Sequence, residues 1–180
     1  AYRRTATNWS LAYSLEPSVT QSIRRFGAAL SLDSNQLAVG APGSLNGQGR
    51  ETGAAFVFSV SSTQPELSAQ LTANVATLAR FGTSVALAGN HFLVGAPGDT
   101  DGGSVHVYRR QTNSVWQPQI RMGPATTRPA QSFGTAVAFD GQLAAVGSPQ
   151  SDSLEAFGGA VQLFTRRGDR WNTATTLVSG

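Results

Sequence analysis

Apolar residues recur along this chain in short runs broken by turn residues, and the runs keep a fixed order. In Val105-His106-Val107-Tyr108 side chains alternate with a period of two, which places successive residues on opposite faces of a strand. Val85-Ala86-Leu87 and Val137-Ala138-Phe139 repeat that alternation with small residues, as suits a strand crowded near an axis. The pattern predicts strands at 26–32, 81–87 and 133–139, each closed by a tight turn. Those turns are Asp33-Ser34-Asn35, Gly89-Asn90 and Asp140-Gly141, residues that tolerate positive φ. Unbroken apolar runs at 37–39, 92–94 and 143–146 read as second strands buried on both faces. Third strands open on glycine at 53–58, 103–108 and 159–164. Fourth, outer strands are marked by Trp116 and Trp171, with a tryptophan-free counterpart at 65–71. No helix longer than a turn or two is expected.

The four-strand unit repeats with its own signature. Phe26-Gly27 precedes Gly40-Ala41-Pro42, Phe81-Gly82 precedes Gly95-Ala96-Pro97, and Phe133-Gly134 precedes Gly147-Ser148-Pro149. The phenylalanine-to-glycine offset is 14 residues each time, and the copies start 55 and then 52 residues apart. A period near 50 with strand-like content signals an array of sheets and not one ordinary core. Proline after the second strand ends it, because proline donates nothing to a ladder. Tyr2-Arg3-Arg4 followed by Trp9 matches Tyr108-Arg109-Arg110 followed by Trp116, so residues 1–25 read as the end of a preceding unit. The expected division is then 26–80, 81–132 and 133–180, a segment of a longer array.

These residues and spacings resemble FG-GAP repeats, the blades of the integrin α-subunit β-propeller and of many bacterial and eukaryotic surface proteins. The resemblance covers essentially the whole chain. It implies an all-β propeller segment of four-stranded antiparallel blades, about three and a half of them, within a propeller of usually about seven. It further implies an extracellular or cell-surface setting and a role in adhesion or ligand binding. Many members carry a calcium loop between the first and second strands. Here that connection is too short to wrap a cation, so Asp33 and Asp140 read as turn residues and no metal is expected.

Composition narrows the reading further. Hydrophobic residues make up 40% and charged residues 13% of the 180, too apolar a balance for a disordered chain. Cysteine is absent, which rules out disulfides and thiolate metal sites. All 13 basic residues are arginine, and the formal net charge of +3 does not call for nucleic acid. No apolar window reaches the length of a membrane-spanning helix.

No catalytic constellation emerges. His91 and His106 are the only histidines, and neither sits in a nucleophile, phosphate-loop or zinc motif. The expectation is a non-enzymatic recognition or adhesion scaffold without cofactor. Alternatives are a carbohydrate-binding propeller and a structural subunit packing on other chains. Its partners would be other protein chains or the rest of a parent propeller, with glycans as a further class.

The resemblance places ligands on the face built from 43–52, 98–102 and 150–158 and from 17–25, 72–80 and 123–132. Candidate ligand-binding residues there are Arg50, Glu51, Asp99, Asp101, Asp152 and Glu155, set against their role as solvated turn residues. On the opposite face Arg3, Arg4, Arg109, Arg110, Arg166, Arg167 and Arg170 fall where third strands turn into fourth. They would form a basic arc that holds anions or simply protects strand edges. Arg167-Gly168-Asp169 spells an integrin-recognised tripeptide inside such a turn, where it is also ordinary turn chemistry.

Overall fold

The computed structural model describes residues 2–16, 22–60, 64–126, 131–151 and 158–178. It contains three four-stranded antiparallel sheets and one two-stranded hairpin, β1 (Tyr2–Arg4) with β2 (Trp9–Leu11). The first sheet runs β3 (Ala29–Asp33), β4 (Gln36–Ala41), β5 (Ala54–Val60), β6 (Pro65–Leu71). The second runs β7 (Ser84–Ala88), β8 (His91–Ala96), β9 (Ser104–Arg110), β10 (Trp116–Met122). The third runs β11 (Ala136–Phe139), β12 (Leu143–Ser148), β13 (Ala160–Arg167), β14 (Arg170–Val178). Within each sheet every strand pairs with its neighbour in sequence, the meander of a propeller blade. The outer pair of each blade carries a register shift at the same place, beside Phe58, Tyr108 and Phe164. The only helical element among the described residues is a 3-10 turn at Thr100–Gly102, and no helix there is long and apolar enough to cross a membrane.

The first strands begin three residues later than the pattern predicts, because the Phe-Gly pair belongs to a turn. Gly27, Gly82 and Gly134 take φ of 85°, 93° and 91°, and the residues before each phenylalanine are left-handed as well. That backbone cannot lie in a ladder, so the turn closes by hydrogen bonds such as Thr83 N–H to Arg80 O at 3.1 Å.

What the motif does instead is join blades. Phe81 N–H donates to Thr52 O at 2.9 Å and Phe133 N–H donates to Gly102 O at 2.8 Å, each reaching into the preceding blade. Phe81 pairs in parallel with Gly53, and Phe133 with Gly103. The glycine of the Gly-Ala-Pro run lies under the same junction. A Cβ on Gly40 would overlap Gly82 O, and one on Gly95 would overlap Gly134 O. The two halves of the motif are therefore opposite sides of one backbone-to-backbone contact between successive blades.

Two apolar seams follow. Phe81, Val85, Leu87 and Phe92 pack with Ala38, Ala55, Val57 and Leu71 of the first sheet. Phe133 and Val146 pack with Leu93, Val105, Val107 and Met122 of the second. Polar links cross the seams too. Leu87 N–H donates to Ser31 Oγ, Gly89 N–H to Asp33 Oδ2, and Ser84 Oγ–H to Gly134 O. Asp33, read as a turn residue, thus also spans two blades. Phe26 departs from its equivalents: it is half-buried, edge-on to Phe56 at 5.4 Å and Phe58 at 6.0 Å. Leu30 and Leu32 beside it are 63% and 67% exposed, whereas their equivalents Val85 and Leu87 are buried under the first sheet.

His91 opens β8 and is buried in the second seam, its ring edge-on to Phe139 at 6.3 Å and Trp171 at 6.4 Å. Nε2 has no hydrogen-bond partner among the described residues. Burial first, then the positive charges of Arg166 and Arg109, lower its pKa from 6.5 to about 4, with Asp169 opposing. The unfolded chain therefore binds the extra proton between those values. Stability is fully present above pH 6.5 and falls as pH drops from 6.5 toward 4. The expected loss from this group by pH 4 is about 3 kcal/mol. Urea unfolding at pH 7.5 and 4.5 checks it: His91→Gln should flatten most of the slope between them.

Candidate ligand-binding face

Loops that follow the second strands and loops that enter the Phe-Gly turns share one end of the blades, and they are interlocked. Leu45 N–H donates to Ser22 O at 2.7 Å, Leu78 N–H to Glu51 O at 2.6 Å, and Gly98 N–H to Ala79 O at 3.0 Å. The first loop is shaped by Asn46, whose Oδ1 accepts from Gln48 N–H at 2.9 Å and Arg50 N–H at 3.0 Å. Arg50 is exposed and Glu51 half-buried, bridged through its backbone to Leu45.

Asp99 and Asp101, two residues apart, separate completely. Asp101 is exposed in the 3-10 turn with φ of 64°. Asp99 is buried, against the solvated-turn reading. Its Oδ1 accepts from Ala76 N–H at 3.2 Å. Its Oδ2 accepts from Ser104 Oγ–H at 2.7 Å and from Arg121 Nε and Nη2 at 3.3 and 3.1 Å. His106 Nε2 lies 3.9 Å from that oxygen and reaches it through Ser104 Oγ, 3.0 Å away. Burial works to raise the Asp99 carboxyl, but the donors His106, Ser104 and the Ala76 and Thr100 amides outweigh it and hold the group well below the carboxylate range. With its oxygens so occupied, Asp99 braces the Ala76 loop of one blade to the strands of the next. Asp152 and Glu155 lie outside the described residues. Among those described, no group of three or more His, Asp or Glu converges as a cation would need.

Arg121 is the member of this network that the sequence did not single out. It lies directly across the β9–β10 ladder from His106, at a position held by Gln70 and Thr176 in the other blades. Arg25 and Arg80 likewise stand outside the sequence candidates, although each lies immediately before a Phe-Gly pair.

At the other end of the blades the arginines of the basic arc sit at the hairpins between third and fourth strands, and several have local partners. Arg109 Nη1 donates to both Asp169 oxygens at 2.7 Å, across to the next blade. Arg110 Nη2 donates to Ser114 Oγ, and Arg166 donates to the carbonyls of Gly141 and Gly168. Arg4, Arg167 and Arg170 are exposed; Arg3 lies in β1. The Arg167-Gly168-Asp169 turn therefore has its carboxylate engaged by Arg109. Trp116 is buried against Phe92, and Trp171 donates its indole N–H to Gln119 Oε1 of the preceding blade, so both are packing residues. Among the described residues neither histidine forms a nucleophile–base pair with a free hydroxyl: the Ser104 hydroxyl is committed to Asp99.

Comparison with known proteins agrees with the repeat geometry. The family model described as FG-GAP repeat matches residues 9–58 and 66–108. The comparison with curated proteins finds no match. Repeats of this family build propeller-type interaction domains that are typically non-enzymatic and occur in extracellular and surface proteins. With the Phe-Gly turns seated on glycines of the preceding blade and the family matching more than half its length, this chain belongs to the FG-GAP repeat family.

Proposed function

We propose that this chain is a non-enzymatic recognition module, working outside the cell or on its surface, that binds a protein ligand through the loop face. One observation carries the reading. The loops of that face are hydrogen-bonded across the blade boundaries, by Leu45 to Ser22, Leu78 to Glu51 and Ala76 to Asp99. A surface fixed in this way loses little conformational freedom on binding, which favours recognition there. On the opposite face the hairpins meet through side chains, Arg109 with Asp169 and Trp171 with Gln119, and Arg4, Arg167 and Arg170 are exposed.

The exposed apolar faces around Leu30 and Leu32, and around Val161 and Leu177, are further protein-contact surfaces, covered by more blades or by another chain. A glycan is the second reading, favoured by a cavity of about 490 Å³ between the first two blades, lined in part by Asn74, His106, Tyr108 and Trp116; a glycan array decides it.

The principal reading is tested by selecting peptides from a displayed library and mapping where they bind. Selected peptides should lose binding to Thr83→Arg, on the loop face, and keep it with Arg110→Glu, on the hairpin face. The reverse pattern would overturn the proposal.

A further inference from the structure

Where the Phe-Gly turns of the three blades converge there is a cavity of about 490 Å³, lined among others by Arg25, Arg80, Thr83, Ser132, Thr135 and Gln150. Arg25, Arg80 and Ser132 are the same repeat position, the residue before the phenylalanine, contributed by successive blades. All three are held left-handed, with φ of 58°, 57° and 58°. L-residues avoid that region, and long side chains there need a reason beyond the local fold. The turn does not supply it. Ser132 makes the same turn with the same hydrogen bond, Thr135 N–H to its carbonyl at 3.2 Å, so arginine is not needed to form it.

The two guanidiniums are also distinctive in what surrounds them. Neither the Arg25 nor the Arg80 guanidinium has a hydrogen-bond or ion-pair partner among the described residues, whereas those of Arg109 and Arg121 are paired with Asp169 and Asp99. Among the described residues no carboxylate lines the cavity. Gly43 makes room for one of them: a Cβ there would stand 3.0 Å from Arg25 Cδ. Ser132 Oγ–H donates to Gln150 Oε1 at 2.7 Å, which commits that oxygen and leaves the Gln150 amide NH2 as a donor. The cavity thus gathers two cations and a donor, both cations planar forks that match tetrahedral or carboxylate oxygens.

We propose that this cavity is an oxyanion site, with Arg25 and Arg80 as the binding residues and Gln150 as an auxiliary donor. Two guanidiniums on one ligand call for a doubly charged group, either a phosphate or sulfate ester or the adjacent carboxylates of an acidic peptide. The inference rests on the loop face being the recognition face and names the chemistry that face selects.

The test is calorimetric titration of the folded chain with inorganic phosphate, inorganic sulfate and an acetylated tetraglutamate peptide at low ionic strength. At least one probe should saturate in the millimolar range or better. Arg25→Gln with Arg80→Gln should weaken it at least tenfold, and so should raising salt from about 50 to 200 mM. Arg110→Gln, on the hairpin face, should bind as the parent does. Should the double glutamine variant fold poorly, Arg25→Gly with Arg80→Gly removes both charges while suiting the left-handed backbone. Phosphate or sulfate alone would identify an ester ligand, and the peptide alone an acidic protein segment. Failure of all three probes to saturate, or unchanged affinity in the charge-removed variants, would overturn the proposal. Selected peptides that map to the hairpin face would instead defeat the loop-face reading and leave oxyanion binding at Arg25 and Arg80 intact.

Discussion

Phe81→Ala is expected to destabilise the chain by about 3–5 kcal/mol, the range for truncating a large aromatic in a tight core. Phe81 is fully buried, and its ring stands edge-on to His106 at 5.5 Å and Tyr108 at 6.2 Å. It fills the seam between the first two blades while its backbone N–H holds Thr52 of the preceding blade, so little can collapse into the space left behind. Phe26→Ala should cost roughly half as much, because its ring is only half-buried. Urea unfolding followed by tryptophan fluorescence and circular dichroism reads both. A loss below about 1 kcal/mol for Phe81→Ala would show that the aromatic half of the motif is not what holds the seam.

Gly95→Ala should be at least as damaging, at about 3 kcal/mol or more, beyond the usual cost of overpacking. A methyl group at Gly95 would overlap Gly134 O and Ser84 Oγ together. The first is backbone of the next blade, tied back to Gly147 O by Gly134 N–H, and the second is held by its own bond to Gly134 O. Neither yields without parting the blades. Gly47→Ala is the matched control, since nothing lies within 4 Å of a Cβ there. Near-equal stability of the two variants would contradict the close backbone approach that explains the motif.

The blade order was legible in the sequence because each strand's burial is set by local alternation and each turn by residues that tolerate positive φ. Strand β6 falls at Pro65–Leu71, as its pattern predicts. The Phe-Gly pair was less legible. Apolar phenylalanine followed by small residues reads as the start of a strand, yet the conformations of Arg80 and Gly82 put it in a turn whose pairing partner lies in another blade. Such long-range pairing leaves no trace in local periodicity. The same limit applied to the site. Asp99 carries the spacing of a solvated loop acid, and only the fold brings Arg121, from a strand 22 residues on, against it. Arg25 and Arg80 share a repeat position, but their convergence depends on blades stacking round a common axis, which local spacing does not show.

Recognition of a ligand by the loop face is tested most directly by amide hydrogen exchange with a selected peptide ligand. Bound ligand should slow exchange at residues 22–25, 44–52, 72–80 and 97–103 and leave the hairpins at 109–116 and 166–171 unchanged. Protection confined to those hairpins, with the loop face exchanging as in the free chain, would contradict it.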